Sequence, residues 1–131
     1  DYAAGHIPGA RLVTLADLSL TGPPPRNLRL ELPPADTLRA ALLKLGVSND
    51  SFTVIYPGND SIQSATRVWF TFDYLNLRAA LLDGGLTSWS GERSTEPARI
   101  EPATELTIRP RPNLILHAPR IREHLQDPRF P

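Results

Sequence analysis

Cysteine is missing from all 131 residues, and with it go disulfides, thiolate metal sites and any thiol nucleophile. The same absence leaves the compartment open, because a chain without thiols suits a reducing cytoplasm and an oxidising periplasm equally. Methionine is also missing and residue 1 is Asp, which implies a polypeptide that starts elsewhere, with any leader upstream of Asp1. Charge of one sign is not in excess: 14 basic residues balance 14 acidic ones, so neither nucleic acid nor an anionic membrane is expected as a partner. No apolar run approaches the ~20 residues of a spanning helix, and no basic-then-apolar stretch marks a secretory leader. What remains is 40% hydrophobic, enough for one core; a domain of this size buries roughly two-thirds of its unfolded surface.

Proline, at 14 residues, is in surplus and punctuates the chain. Gly5 to Ala10 has turn chemistry, with Pro8 fixing one φ and Gly9 free to turn left-handed; within it His6 is expected as a satisfied structural side chain. From Ala16 to Pro34 the clusters Pro23-Pro24-Pro25 and Pro33-Pro34 remove backbone donors and predict an extended surface loop. Asp36 then stands where an N-cap belongs, Leu38 to Leu45 repeats leucine at helical spacing, and Gly46 supplies the stop, so a helix is predicted over 37–45.

Phe52 to Tyr56 reads as a buried parallel strand, short and rich in β-branched and aromatic residues. A loop from Pro57 to Ser64 follows. A helix is predicted from Ala65 to about Leu75, with Ala65, Val68, Trp69, Phe72 and Leu75 on its core face and Arg67, Thr71 and Asp73 elsewhere. Asn76 suits a left-handed helix end. Ala79 to Leu82 reads as the next strand, Asp83-Gly84-Gly85 as a turn, and Leu86 to Ser90 as a short helix carrying Trp89. Strand, helix, strand at this spacing argues a parallel α/β sheet, whose ligands gather beyond the strand carboxyl ends. Residues 92–112, with Pro97, Pro102, Pro110 and Pro112, read as a semi-stiff linker. Beyond it, Leu114 to Leu116 predicts a strand and 121–125 a helix with Pro119 in its first turn. His117, Glu123 and His124 match no metal-ligand spacing, and no metal site is expected.

Three segments taken together, Tyr2-Ala3-Ala4-Gly5-His6-Ile7-Pro8-Gly9-Ala10, Ala65-Thr66-Arg67-Val68-Trp69-Phe70 and Asp83-Gly84-Gly85-Leu86, resemble the signatures of the rhodanese (sulfurtransferase) family over residues 1–91. The Ala-x-Arg-Val-Trp segment after a longer loop is most similar to the first, non-catalytic domain of tandem-domain thiosulfate or mercaptopyruvate sulfurtransferases. The resemblance implies an α/β fold, an open parallel sheet flanked by helices, and no cofactor. It also implies a sheet incomplete at its N-terminus, because related domains place a strand, a helix and a central strand before the Tyr-x-x-Gly-His segment. Residues 113–131 resemble the strand and helix that begin a second such domain. One expectation is that this tail fills the vacant sheet edge, in its own molecule or a neighbour.

Rhodaneses carry sulfur as a persulfide on a loop cysteine directly after the strand that corresponds to Phe52–Tyr56, in a cradle of amides that stabilises the anion. Pro57 occupies that position here, so no catalytic residue is assigned and the chain is expected to be inactive alone. Candidate contacts for an anionic sulfur donor are Gly58, Asn59, Asp60, Ser61 and Ser64 in the loop, with Arg67 and Arg11 as cleft charges. Attack by Ser61 or Ser64 is not expected, since neither has a histidine base nearby in the loop. The leading expectation is the non-catalytic domain of a sulfurtransferase whose cysteine lies in a second rhodanese-like domain of the same protein. The alternative is a cysteine-less module that recognises a small anion or a protein; a related hydrolase or phosphatase is disfavoured by the missing thiol.

Overall fold

The computed structural model describes residues 2–22, 28–58, 62–125, 127 and 129. Two strands, β1 (Thr53–Ile55) and β2 (Ala79–Leu81), pair in parallel with Val54 opposite Ala80. Between them in sequence lies helix α2 (Ile62–Tyr74), and before them helix α1 (Ala35–Lys44). This is the expected α/β order, with strands trimmed at their ends: Phe52, Tyr56 and Leu82 lie outside the ladder, and the expected burial of the first strand is corrected, since Phe52 and Val54 are exposed on the sheet face opposite Ile55.

Both helices end by the same device, in which the turning residue's own amide and the next one close back on the last turn. In α1, Gly46 at φ 73 sends its N–H to Leu43 O at 2.9 Å and Val47 sends its N–H to Leu42 O at 3.0 Å. In α2, Asn76 at φ 58 and Leu77 do the same with Asp73 O at 3.0 Å and Phe72 O at 2.9 Å. Gly46 is also crowded, since a β-carbon there would lie 2.5 Å from the Glu101 carbonyl oxygen.

The start of α1 differs from expectation. The N-cap position falls on Pro34 and Asp36 sits inside the first turn, because Pro34 at ψ 145 turns directly into the helix. There the Asp36 carboxylate favours the helix dipole rather than capping an amide. Helix α2 begins earlier than predicted, at Ile62, so Gln63 and Ser64 are helical and the preceding loop is shorter.

The core is built from Leu38 and Leu42 of α1, Val68 and Phe72 of α2, Leu75, Val47, Leu18 and Leu106. The predicted core face of α2 is corrected at two places. Trp69 is 37% exposed, while Thr71 is fully buried. Three residues after Val68 and four before Leu75, Thr71 falls on the apolar stripe, and Trp69 falls at its margin. Burial of the Thr71 hydroxyl is satisfied locally: it donates to Arg67 O at 3.1 Å and accepts from Arg67 Nη1 at 3.2 Å.

The segment expected as a surface loop, Ala16 to Pro34, contributes to the core as well. A 3₁₀ turn over Leu15–Leu18 buries Leu18, and the Asp17 carboxylate accepts from both the Thr14 amide and hydroxyl at 2.7 Å. Leu20 and Glu31 exchange backbone hydrogen bonds of 2.9 Å across the loop; Pro23-Pro24-Pro25 lies outside the described residues. The turn after β2 is a 3₁₀ helix, Gly85–Ser88, and Trp89 follows it in extended conformation, its indole N–H reaching Glu92 O at 2.9 Å.

Residues 92–112, expected as a linker, carry no helix or strand until a 3₁₀ turn opens at Pro112, and lie along the fold. Ser94 bridges to His6, the Ala103 amide donates to Leu43 O at 2.9 Å, and Leu106 enters the core at 3% exposure. Asn49 binds both backbone groups of Thr107 at 2.8 Å. The predicted strand at Leu114–Leu116 is corrected: Pro112–Leu114 forms a 3₁₀ turn that proline at its first position favours, and residues 115–117 enter no ladder. Among the described residues, the tail therefore pairs with no strand of its own chain. It continues into α3 (Ala118–His124), with Pro119 in the first turn as expected.

Candidate functional site

The carboxyl end of β1 is held from two sides. Its last ladder bond runs from the Leu82 amide to Ile55 O at 2.8 Å. The following turn takes the left-handed conformation at Gly84 (φ 70) and Gly85 (φ 57), and a β-carbon at Gly85 would meet the Pro57 ring at 3.2 Å. Pro57 thus packs on Gly85, while at Gly84 a β-carbon would collide with the Ser88 side chain, so each glycine is required by its positive φ and by a different neighbour. On the other side, the Tyr56 hydroxyl accepts the Ile7 amide at 3.1 Å and ties the N-terminal loop to the strand end.

That loop is itself clasped. His6 is 1% exposed and stacks on Tyr2, with ring centroids 3.7 Å apart and planes 9° from parallel. Its Nδ1 lies 2.8 Å from Tyr2 O and its Nε2 3.0 Å from Glu96 O. The Tyr2 hydroxyl donates to Ala10 O at 2.7 Å and accepts from the Ala98 amide at 3.1 Å. His6 is the satisfied structural side chain that its turn context suggests. The roles of Tyr2 and Tyr56 were not signalled by local pattern, since their partners are between 8 and 96 residues away.

A groove of about 980 Å³ runs beside β1, and the expected site residues divide along it. Gly58 and Ser64 line it near Pro57 and Leu86, with open space around Gly58 and Ser64 in the first turn of α2. Asn59, Asp60 and Ser61 lie outside the described residues. Arg11 also lines the groove, but its guanidinium donates to Leu45 O, next to Gly46 and the turn that leads into β1. This is the amino end of the strand, away from Pro57. Arg67 does not line the groove; Nη2 reaches Leu30 O at 3.4 Å, and the guanidinium carbon stands 6.0 Å from the Phe70 ring centroid. Burial lowers the Arg67 pKa from its ordinary value.

Chemically, the strand end offers neither nucleophile nor amide at Pro57, and the nearby Arg93 guanidinium is bound to Leu86 O at 3.0 Å. His6 has both ring nitrogens committed to carbonyls and is not a base for Ser64. Among the described residues, no cluster of three or more His, Asp or Glu side chains is arranged to hold a metal ion, and no helix is long and apolar enough to cross a membrane.

Comparison with known proteins bears on what this architecture is. A rhodanese-like domain profile matches residues 1–92. The thiosulfate sulfurtransferase of Rattus norvegicus is 31% identical over 135 residues, covering 99% of this chain and 44% of its own length. The thiosulfate/3-mercaptopyruvate sulfurtransferase 2 of Arabidopsis thaliana is 30% identical over 97% of this chain and 43% of its own length. The 3-mercaptopyruvate sulfurtransferase of Escherichia coli (strain K12) is 33% identical over 91 residues, or 68% of this chain. This chain thus spans less than half of the curated relatives it matches. Among solved structures, an EanB variant bound to ergothioneine superimposes with a TM-score of 0.73 at 25% identity, covering 97% of this chain and 33% of that one. With the parallel β1–α2–β2 unit, the glycine turn after β2 and the profile match over the same residues, the chain belongs to the rhodanese-like domain family.

Proposed function

We propose that residues 1–91 are the non-catalytic half of a two-domain sulfurtransferase. In this reading the half-site around Gly58 and Ser64 forms one wall of a cleft, and a second rhodanese-like domain of the same protein carries the persulfide cysteine. Sulfur passes from thiosulfate or 3-mercaptopyruvate to a thiophilic acceptor on that second domain. The observation that carries the reading is Pro57: the position where this family places its sulfur carrier holds a residue with neither thiol nor backbone N–H, packed on Gly85 and tolerated by the fold. The relatives' names and their greater length support the same assignment.

The alternative, an anion-recognition module acting alone, is less well supported. Arg11 and Arg67 are each committed to a backbone carbonyl, of Leu45 and Leu30, so an anion at the loop would draw chiefly on main-chain donors. The deciding experiment is a thiosulfate:cyanide assay on the 131-residue chain and on the natural polypeptide that contains it, with intact mass on both. Activity confined to a longer, cysteine-bearing polypeptide is the expected result. Saturable thiosulfate binding by the 131-residue chain, with no activity in the natural polypeptide, would favour the recognition module instead.

A further inference from the structure

The ring of His6 stands between two acceptors. Its Nδ1 lies 2.8 Å from Tyr2 O and its Nε2 3.0 Å from Glu96 O, and a carbonyl oxygen can only accept. A neutral imidazole carries one N–H, so it serves one of these oxygens and turns a lone pair to the other; an imidazolium carries two and serves both. With the ring 1% exposed, an unserved nitrogen has no bulk solvent to turn to.

The two contacts differ in reach. Tyr2 lies four residues before His6 and takes the shorter bond, whereas Glu96 lies 90 residues on, in the segment that straps the fold. The neutral ring therefore keeps its proton on Nδ1, and the bond to Glu96 O is the one that needs a second proton. Glu96 is an exposed residue, so its carbonyl, which has Ser94 Oγ at 3.5 Å as a further donor, can take water when released. Three more bonds fasten the strap to the N-terminal loop: the His6 amide to Ser94 O at 2.9 Å, the Ser94 amide to His6 O at 2.8 Å, and the Ala98 amide to the Tyr2 hydroxyl at 3.1 Å. The same loop is tied to the end of β1 through the Ile7 amide and the Tyr56 hydroxyl.

The ionisable groups around the ring leave this arrangement to the two carbonyls. Tyr2 stacks on it with its hydroxyl engaged at Ala10 O and the Ala98 amide. Arg93 passes close, since a β-carbon at Gly5 would meet its stem at 3.8 Å, but its guanidinium is bound to Leu86 O. Tyr56 is engaged with Ile7, and Glu96 meets the ring through its backbone oxygen. His6 takes part in none of the ion pairs among the described residues.

We infer that His6 is a proton-operated latch: with a proton on each ring nitrogen it fastens Glu96 of the strap to the N-terminal loop, and on giving the Nε2 proton to solvent it lets Glu96 go. The Ser94 ladder remains as the hinge. The Glu96 bond is thus present on the acid side and lost as pH rises through the step at which the ring gives up that proton.

Nitrogen-15 spectra of the imidazole count the protons on His6 directly, and amide exchange at Ala98 reads the strap. Between about pH 5 and 8, the interval in which imidazoles change charge, His6 should pass from two ring protons to Nδ1–H alone. Protection of the Ala98 amide, corrected for the intrinsic pH dependence of exchange, should fall about tenfold at the same step, the scale of one hydrogen bond. In His6→Gln the step at Ala98 should vanish. Three results from the unsubstituted chain would overturn the inference: a proton count on His6 that stays constant across the interval, a change of count with no change at Ala98, or a fall shared equally by the core amide of Leu75, which would mean that the whole fold loosens. None of these readouts involves sulfur transfer, so the latch and the proposed function fail separately.

Discussion

The Oδ1 atom of Asn76 accepts a hydrogen bond of 2.7 Å from Nη2 of Arg111, at the residue whose backbone turns left-handed to end α2. Nη1 of the same guanidinium lies 3.0 Å from Asp73 Oδ1, and the Arg111 amide donates to Tyr74 O at 2.8 Å. One arginine thus fastens the end of the 92–111 segment to the carboxyl end of a helix, where a positive charge is favoured.

Two substitutions at Asn76 separate backbone from side chain. Asn76→Gly keeps the left-handed turn and loses only the bond to Arg111, so it should cost under about 1 kcal/mol. Asn76→Ala loses both and should cost about 1–2 kcal/mol more, the penalty of a β-carbon in that conformation. Urea unfolding of the two variants checks the order; an alanine variant as stable as the glycine one would mean that the turn is relaxed without the side chain.

The buried Thr71 hydroxyl gives a second test. Thr71→Val keeps the shape and removes the groups that bind Arg67 O and Nη1. Because Arg67 O is already the acceptor of its helix position, the expected loss is about 1 kcal/mol, with Arg67 freed to move. Calorimetry should show a lowered melting temperature, and the arginine side-chain resonances should sharpen.

How far these features were legible in the sequence depends on the range of the contacts that fix them. The ends of α1 and α2 were readable because Gly46 and Asn76 donate their amides to carbonyls of their own last turn. The parallel strand pair was readable because the chemistry of Val54 and its neighbours is local. The core role of Leu106 was not, since the surrounding prolines describe only a stiff extended chain, and stiffness does not say what the chain lies upon. The same holds at the candidate site. The placement of Pro57 and Gly58 just beyond the first strand, and of Ser64 at the start of the following helix, could be seen directly. The commitment of Arg11 and Arg67 depends on Leu45 and Leu30, carbonyls 34 and 37 residues away, which no spacing announces.

Pro57→Cys asks whether the fold alone can restore a sulfur carrier. Arg11 and Arg67 are bound to the Leu45 and Leu30 carbonyls, and Arg93 to the Leu86 carbonyl, so the new thiol should titrate near the ordinary value of about 8.5. Thiosulfate:cyanide transfer by this variant of the 131-residue chain is expected to stay at background. Turnover above background, or a thiol reacting as a thiolate well below pH 8, would show that the loop keeps a working anion cradle.

Arg67 provides a test of placement within the proposed enzyme. Its guanidinium is bound to Thr71 Oγ1 and Leu30 O, and on that geometry Arg67→Ala in the natural polypeptide should leave the KM for thiosulfate unchanged. The cost should fall on stability instead, through Thr71 and the loop around Leu30, which holds a left-handed φ of 59 without being glycine. A raised KM with unchanged melting temperature would return Arg67 to the donor site.

Leu106 decides whether the segment after Gly91 is a spacer or part of the domain. Its side chain is 3% exposed among Leu38, Leu42 and their neighbours, whereas a spacer residue would contribute nothing. Leu106→Ala should therefore cost about 2–5 kcal/mol, the range for a leucine truncated in a packed core. Thr107, next along the chain, binds Asn49 through its backbone at the surface, so Asn49→Ala should cost only about 1–2 kcal/mol. Both losses should appear in one cooperative unfolding transition, followed by tryptophan fluorescence and by circular dichroism. If Leu106→Ala were instead neutral, or if the segment melted separately below the main transition, the strap would be an appendage and the core would close without it.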